Sequence, residues 1–174
     1  MKIRHIVCLA LLGLGAVSSR AADSAGFAGK WKLEAGRGSS IKPWDGETLV
    51  VSLQGDTVKM DRHLSWGHDR RVSDSTTLKA DGRTVTSNPV AFWLDTWYSN
   101  AYIGGDHCKR VLASWIEPGR VLAVETSLSL ELQQGDVPVH IHDEYHLSSD
   151  GRTLTLLEIR SSRDQALSYV FARE

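Results

Sequence analysis

Apolar and polar residues alternate with a period of two along most of this chain. In residues 121–132, the even positions from Leu122 to Leu132 are mainly apolar, and the odd positions from Ala123 to Glu131 are mainly small or polar. This alternation is typical of a β-strand with one buried face. It recurs over residues 48–53, 57–64, 137–147, 153–159 and 167–171, whereas helical periodicity is nearly absent.

Short turn signals separate the alternating runs: Gly55-Asp56, Asp81-Gly82, Pro118-Gly119, Gly135-Asp136 and Asp150-Gly151. About eight to ten strands joined in this way predict an all-β meander that closes as an antiparallel up-and-down barrel, with a sandwich as the alternative. Residues 78–86 and 147–155 share the letters Asp-Gly-Arg-Thr. They predict two similar hairpins and a weak internal repeat. The alternative is that any two Asp-Gly hairpins resemble each other without a repeat.

One segment, residues 89–105, departs from the alternation. It contains five aromatic residues, and its spacing is compatible with a short helix or with a strand followed by a long aromatic loop. We therefore expect a longer aromatic connection near residues 89–105 within the barrel. The five aromatic residues are Phe92, Trp93, Trp97, Tyr98 and Tyr102.

The N-terminus has the three parts of a secretory signal peptide. Lys2 and Arg4 precede an apolar run over residues 6–17, and small residues follow it up to Ala21. The run is too short for the roughly 20 residues of a membrane-spanning helix, so a retained anchor is the less favoured alternative. We predict a signal peptide at 1–21, a single domain at 22–174, and an exported protein that is periplasmic or secreted.

The net charge of the chain and its distribution limit the kinds of partner that it can bind. The chain has 20 basic and 21 acidic residues; cleavage would remove Lys2, Arg4 and Arg20 but no acid, leaving 17 and 21 and a net charge of −4. Without a basic stripe we expect no nucleic-acid partner. Nothing after residue 22 is apolar for long enough to cross a membrane as a helix. Cys108 would be the only cysteine left, and we expect it to be buried and inert.

Two motifs at the ends of the domain carry a family resemblance. Gly29-Lys30-Trp31 lies on the first predicted strand, and the last predicted strand ends at Arg173. Together with the two Asp-Gly-Arg-Thr segments, they resemble the lipocalin-like (calycin-like) β-barrels of small exported bacterial proteins. The resemblance implies that Trp31 plugs one end of the barrel, that Arg173 packs over its indole, and that the first and last strands pair.

The histidine-rich segment 139–147 is a candidate metal site. On a strand, His140, His142, Glu144 and His146 share one face. His140 and His142 are one pleat repeat apart and could converge on one ion with Glu144. The alternative is that these side chains form the solvated face of an antiparallel strand, since the other face already supplies apolar residues for the core.

Catalysis has little support in the sequence. It contains no Gly-x-Ser-x-Gly, phosphate-binding or dinucleotide-binding motif. His107 beside Cys108 could activate a thiol, but nothing identifies a third catalytic group. We therefore expect a protein that is not an enzyme and needs no cofactor.

Aromatic residues give the leading functional hypothesis, which is a non-catalytic barrel that binds a small apolar or amphipathic ligand. Large rings at the mouth of a barrel commonly line such a site, although they can also simply fill the interior. The alternatives are a protein-interaction module that uses the aromatic segment 89–105, and the metal site at His140/His142. The residues predicted to line or cover the ligand site are Trp44, Trp66, Phe92, Trp93, Trp97 and Tyr102.

Overall fold

The structure is a computed structural model that describes residues 26–39, 44–90, 92–94 and 101–174. The predicted signal peptide at 1–21 lies outside them. The described residues form eleven strands and no helix, which confirms the all-β prediction. The strands are β1 Gly29–Gly38, β2 Gly46–Gln54, β3 Thr57–Trp66, β4 Arg70–Lys79, β5 Asp81–Pro89, β6 Tyr102–Ile103, β7 Cys108–Glu117, β8 Val121–Leu132, β9 Gly135–Leu147, β10 Thr153–Arg160 and β11 Leu167–Arg173.

The strands form an antiparallel meander that curls into a nearly closed barrel. The order around the sheet is β4-β3-β2-β1-β11-β10-β9-β8-β7-β5, and the two-residue β6 lies off this path on β8. The first and last strands pair, with Trp31 opposite Arg173 and Leu33 opposite Phe171. The predicted up-and-down, calycin-like barrel is therefore confirmed. The short β6 brings the strand count above the predicted eight to ten.

The predicted stack of Arg173 on Trp31 is also confirmed. The guanidinium carbon lies 4.2 Å from the centre of the indole, which is fully buried. Arg173 also donates hydrogen bonds to the carbonyl oxygens of Gly26, Ala28 and Gly151. Gly29 makes room for this arrangement, because a Cβ there would lie 2.6 Å from Arg173 Nη1.

A seam between β4 and β5 interrupts the hydrogen-bonded wall. These strands share no ladder, so the predicted Asp81-Gly82 hairpin is wrong, whereas β9 and β10 pair closely around Asp150-Gly151. Side chains span the seam instead. The Asn88 side chain bonds the main chain of Thr77, and Lys109 on β7 forms an ion pair with Asp74 on β4.

Two hydrophobic clusters fill the barrel. The larger surrounds Trp31 and includes Phe27, whose ring meets Trp115 edge-on at 5.0 Å. The smaller centres on the fully buried Ile103 and packs against Trp93. The second cluster therefore anchors the aromatic segment to the barrel.

The described part of the aromatic segment is extended. Phe92 and Tyr102 form an antiparallel bridge, and the main-chain N–H of Trp93 donates to the Ala101 carbonyl at 2.9 Å. No helix occurs within residues 92–94 or 101–105, and residues 95–100 lie outside the described ranges.

Cys108, predicted to be buried, is half-buried at the start of β7. Among the described residues, no helix is both long and apolar enough to cross a membrane.

Candidate ligand-binding site

Strand alternation turns several charged residues into the barrel. Arg62 lies between the buried Met60 and Leu64 on β3, and Asp143 lies between Ile141 and Tyr145 on β9. Inward positions in a barrel normally carry apolar side chains, because burying a charge without a partner is strongly unfavourable. The inward charges therefore mark a specialised part of the interior.

These charges and part of both hydrophobic clusters surround a cavity of about 80 Å³. The cavity has both apolar and polar walls, as small-molecule sites do. The aromatic lining residues are Trp44, Phe92, Trp93, Tyr145 and Tyr169; the polar ones are Glu47, Arg62, Asp74, Thr76, Lys109, Thr126, Asp143 and Glu158; the aliphatic ones are Met60, Leu78, Val90, Leu94, Ile103, Val124, Leu128, Ile141 and Leu156.

Ion pairs hold most of the interior charges. Arg62 Nε lies 2.7 Å from Glu47 Oε1, and Lys109 Nζ lies 2.6 Å from Asp74 Oδ2. Arg160 Nε lies 2.6 Å from Glu158 Oε1, and both of these side chains are almost completely buried. Buried charges need such partners, because a low dielectric raises the cost of removing a charge from water and also strengthens its attraction to an opposite charge.

Two carboxylates face each other across neighbouring strands on the inner face. Asp143 on β9 is the direct register partner of Glu158 on β10. Burial raises the pKa of the nearby Tyr145 hydroxyl well above its ordinary value, and the negative charge of Asp143 raises it further. Like charges in directly opposed positions destabilise a sheet. The Asp143–Glu158 pairing is therefore not one that cross-strand stability by itself would favour.

Trp93 joins the aromatic segment to the charged interior. Its ring lies 5.2 Å from the guanidinium carbon of Arg160. Its indole Nε1 is buried and, within the part of the chain that the structure describes, has no hydrogen-bond partner. A buried donor without an acceptor is uncommon and calls for an explanation.

The structure distributes the six predicted ligand-site residues unevenly. Trp44, Phe92 and Trp93 line the cavity. Trp66 packs edge-on against Trp44 at 5.4 Å, behind the lining. Tyr102 lies outside the lining, where it is exposed and contacts the Phe92 ring. The sixth, Trp97, lies outside the described residues. That these residues bind a ligand stays a prediction.

The predicted metal residues lie on the outer face of β9. His142 Nδ1 is 2.6 Å from Glu125 Oε1, and His142 Nε2 is 3.2 Å from Glu144 Oε1. Glu144 also bonds His146, while His140 bonds Ser127. These contacts form a chain of hydrogen bonds in which both nitrogens of His142 are engaged. Within the described ranges, no group of three or more His, Cys, Asp or Glu side chains could hold a metal ion.

Comparison with known proteins gives a match at the level of structure only. The chain is similar to the fatty-acid-binding protein isolated from Manduca sexta. The identity is 9% and the TM-score is 0.49, over 83% of this chain and 97% of that protein. No protein-family model matches the sequence, and neither does any curated protein.

Sequence reasoning missed the charged interior, although a signal was present. Arg62, Asp143 and Glu158 occupy the apolar parity of strands that were read correctly. A charge at an inward position within an alternating run is the pattern that marks them. The sequence gives a weaker indication for Glu47 and Asp74. Glu47 directly precedes the predicted run 48–53, and Asp74 lies in the middle of β4, where no alternating run was predicted.

Proposed function

We propose that this protein is a non-catalytic barrel that binds a small amphipathic ligand in the cavity lined by Trp93. The observation that carries the proposal is the buried indole N–H of Trp93, which has no hydrogen-bond partner among the described residues and whose ring belongs to a lining with apolar and polar walls. A ligand with a hydrogen-bond acceptor would satisfy that donor, and its apolar part would contact the aliphatic wall.

The dimensions of the cavity limit the ligand. Its volume of about 80 Å³ lies well below the roughly 300–1,000 Å³ typical of sites for drug-sized molecules. The proposed ligand is therefore small, or enters the cavity with one end only. The Phe92 ring belongs to the cavity lining and is exposed, so part of the cavity lies next to solvent.

Titration with the neutral dye Nile red tests this proposal; the dye is larger than the cavity, so it would enter with its carbonyl end only. We expect saturable, one-to-one quenching of tryptophan fluorescence, and weaker dye binding by Trp93→Phe, which keeps an aromatic ring but lacks the N–H. Trp115→Phe is the matched control, because Trp115 packs on Phe27 away from the cavity lining. Quenching that rises linearly without saturation would contradict a defined site.

We further propose that the barrel works outside the cytoplasm after export. The support is the basic start, the apolar run and the small residues ending at Ala21. Cell fractionation and N-terminal sequencing test this: the mature protein should begin at Ala22 or Asp23 and should accumulate in the cytoplasm when residues 1–21 are deleted. A full-length chain starting at Met1 in the extracytoplasmic fraction would refute cleavage.

One observation favours a second candidate, a protein-interaction module. The Phe92 and Tyr102 rings contact each other at 5.2 Å, yet both are about half exposed. Exposed aromatic pairs are typical anchors of interfaces. Under this candidate, Tyr102→Ala, which removes a ring outside the cavity lining, would abolish capture of a protein partner and leave the circular dichroism spectrum and Nile red binding unchanged.

A further inference from the structure

The charges of the cavity are unequal in number. Four carboxylates surround or adjoin it, on Glu47, Asp74, Asp143 and Glu158. Three basic groups oppose them: Arg62 and Lys109 in the lining, and Arg160 in its ion pair with Glu158. With all of these groups ionised, this part of the interior carries a formal net charge of −1.

Two of the four carboxylates lie on neighbouring strands. Asp143 and Glu158 are direct cross-strand partners with inward-facing side chains. Arg160, which pairs with Glu158, is directed towards the Trp93 ring and is not part of the cavity lining. The two neighbouring carboxylates thus contribute to the lining while one of the basic groups does not.

The lining of the cavity also contains aromatic and aliphatic groups, some of them next to the two neighbouring carboxylates. Trp44, Trp93 and Tyr169 present rings, and Met60 and Leu156 present aliphatic side chains. Aromatic faces attract organic cations, most strongly where water is excluded. Aromatic rings therefore reinforce the preference that the carboxylates set.

From this combination we infer that the cavity takes a small organic cation, a protonated amine bearing an apolar group, in preference to a carboxylate of the same size. This inference rests on the proposed function and specifies its ligand class. A protonated amine would balance the formal net charge of −1 in this part of the interior, whereas a ligand carboxylate would add a fifth negative group to a weakly screened interior. The indole N–H of Trp93 would donate a hydrogen bond to a neutral acceptor elsewhere on such a ligand.

Isothermal titration calorimetry with hexylamine, hexanol and hexanoate tests the inference on the unaltered protein. The three probes share one apolar chain and carry a positive, neutral or negative end at pH 7. We expect hexylamine to bind about tenfold more tightly than hexanol, and hexanoate to bind more weakly than both, since like charges close together in an interface are strongly disfavoured.

Variants assign the preference to the carboxylates. Asp143→Asn keeps the shape of the side chain and removes one inward charge, so the difference between hexylamine and hexanol should shrink severalfold. Glu125→Gln removes a carboxylate from the outer face of β8 and should leave that difference unchanged. A preference for the amine that survives Asp143→Asn would overturn the role assigned to Asp143.

The outcomes separate this inference from the proposed function. Equal or tighter binding of hexanoate would overturn the cation preference, while saturable binding would still support a ligand site. If none of the three probes binds and Nile red also fails to saturate, the proposed function itself fails. Because the probe series uses the unaltered protein, the first comparison does not depend on any variant folding.

Discussion

The side-chain amide of Asn88 bonds both main-chain polar groups of Thr77 across the seam between β4 and β5. The Thr77 N–H donates to Asn88 Oδ1 at 2.8 Å, and Asn88 Nδ2 donates to the Thr77 carbonyl at 3.0 Å. An amide side chain carries the same donor and acceptor as a peptide group. Asn88 therefore replaces one rung of the missing ladder and continues the wall of the barrel.

This relationship predicts that Asn88→Leu weakens the seam. The substitution keeps a similar volume but leaves the Thr77 N–H and carbonyl without their partner, and we expect a loss of about 1–3 kcal/mol in the free energy of unfolding. Urea denaturation followed by tryptophan fluorescence measures it. Ser87→Ala, at the exposed neighbouring position on β5, is the control and should change the free energy little. Equal free energies of unfolding for the two variants would show that the Asn88–Thr77 hydrogen bonds do not stabilise the seam.

Gly29→Ala tests the packing of Arg173 on the first strand. A Cβ at this position would lie 2.6 Å from Arg173 Nη1, and the backbone has φ +147°, which side chains rarely adopt. We expect a lower thermal midpoint, corresponding to about 1–3 kcal/mol, since the arginine must leave the Trp31 ring. The matched control is Gly36→Ala on the same strand, where a Cβ would meet nothing within 4 Å. If Gly36→Ala is as damaging as Gly29→Ala, general strand propensity explains the loss instead.

The ion pair of Asp74 and Lys109 crosses the seam in a largely buried environment, with about a tenth of each side chain exposed. Lys109→Met should destabilise the protein by up to about 3–5 kcal/mol, because it leaves a carboxylate without its main counter-charge. The double variant Asp74→Asn/Lys109→Met should recover much of that loss. Chemical denaturation of the wild type, both single variants and the double variant gives the coupling energy. Additive effects would show that the pair does not act as a unit.

The outer face of β9 should contribute to stability in a pH-dependent way. The hydrogen bond with Glu125, followed by that with Glu144, raises the pKa of His142 above its ordinary 6.5. The stabilisation is therefore fully present below pH 6.5 and is lost as the pH rises through the folded-state pKa. Hydrogen bonds from His142 and His146 lower the pKa of Glu144 from 4.5, so its contribution is lost as the pH falls through the lowered value. The cluster should stabilise the fold most between pH 4.5 and 6.5.

NMR titration of the His142 ring tests this expectation. The midpoint in the wild type should lie above 6.5, and Glu125→Gln should lower it because the largest stabilising contact is removed. Glu131→Gln changes an exposed acid further along β8 and should leave the His142 midpoint unchanged. A midpoint that does not respond to Glu125→Gln would argue that the contact is absent in solution.

The alternation of side chains by itself determined that this chain is all-β, because a period of two fixes which face of each strand is buried. Alternation was compatible with both a barrel and a sandwich, and the pairing of β1 with β11 decided for the barrel. The family resemblance carried by short motifs at the two ends of the domain implied the Trp31–Arg173 stack and the pairing of the first and last strands. The outward face shared by His140, His142 and Glu144 followed from the same parity.

Tertiary structure alone decided which residues meet inside the barrel. Strand register sets Asp143 opposite Glu158, and register depends on packing between strands that lie far from any local motif. The open seam, bridged by Asn88, likewise depends on how β5 pairs with β7 instead of β4. A one-dimensional pattern gives each side chain a face, but only the closed barrel brings charges from separate strands to one cavity, where their number and distance decide the chemistry.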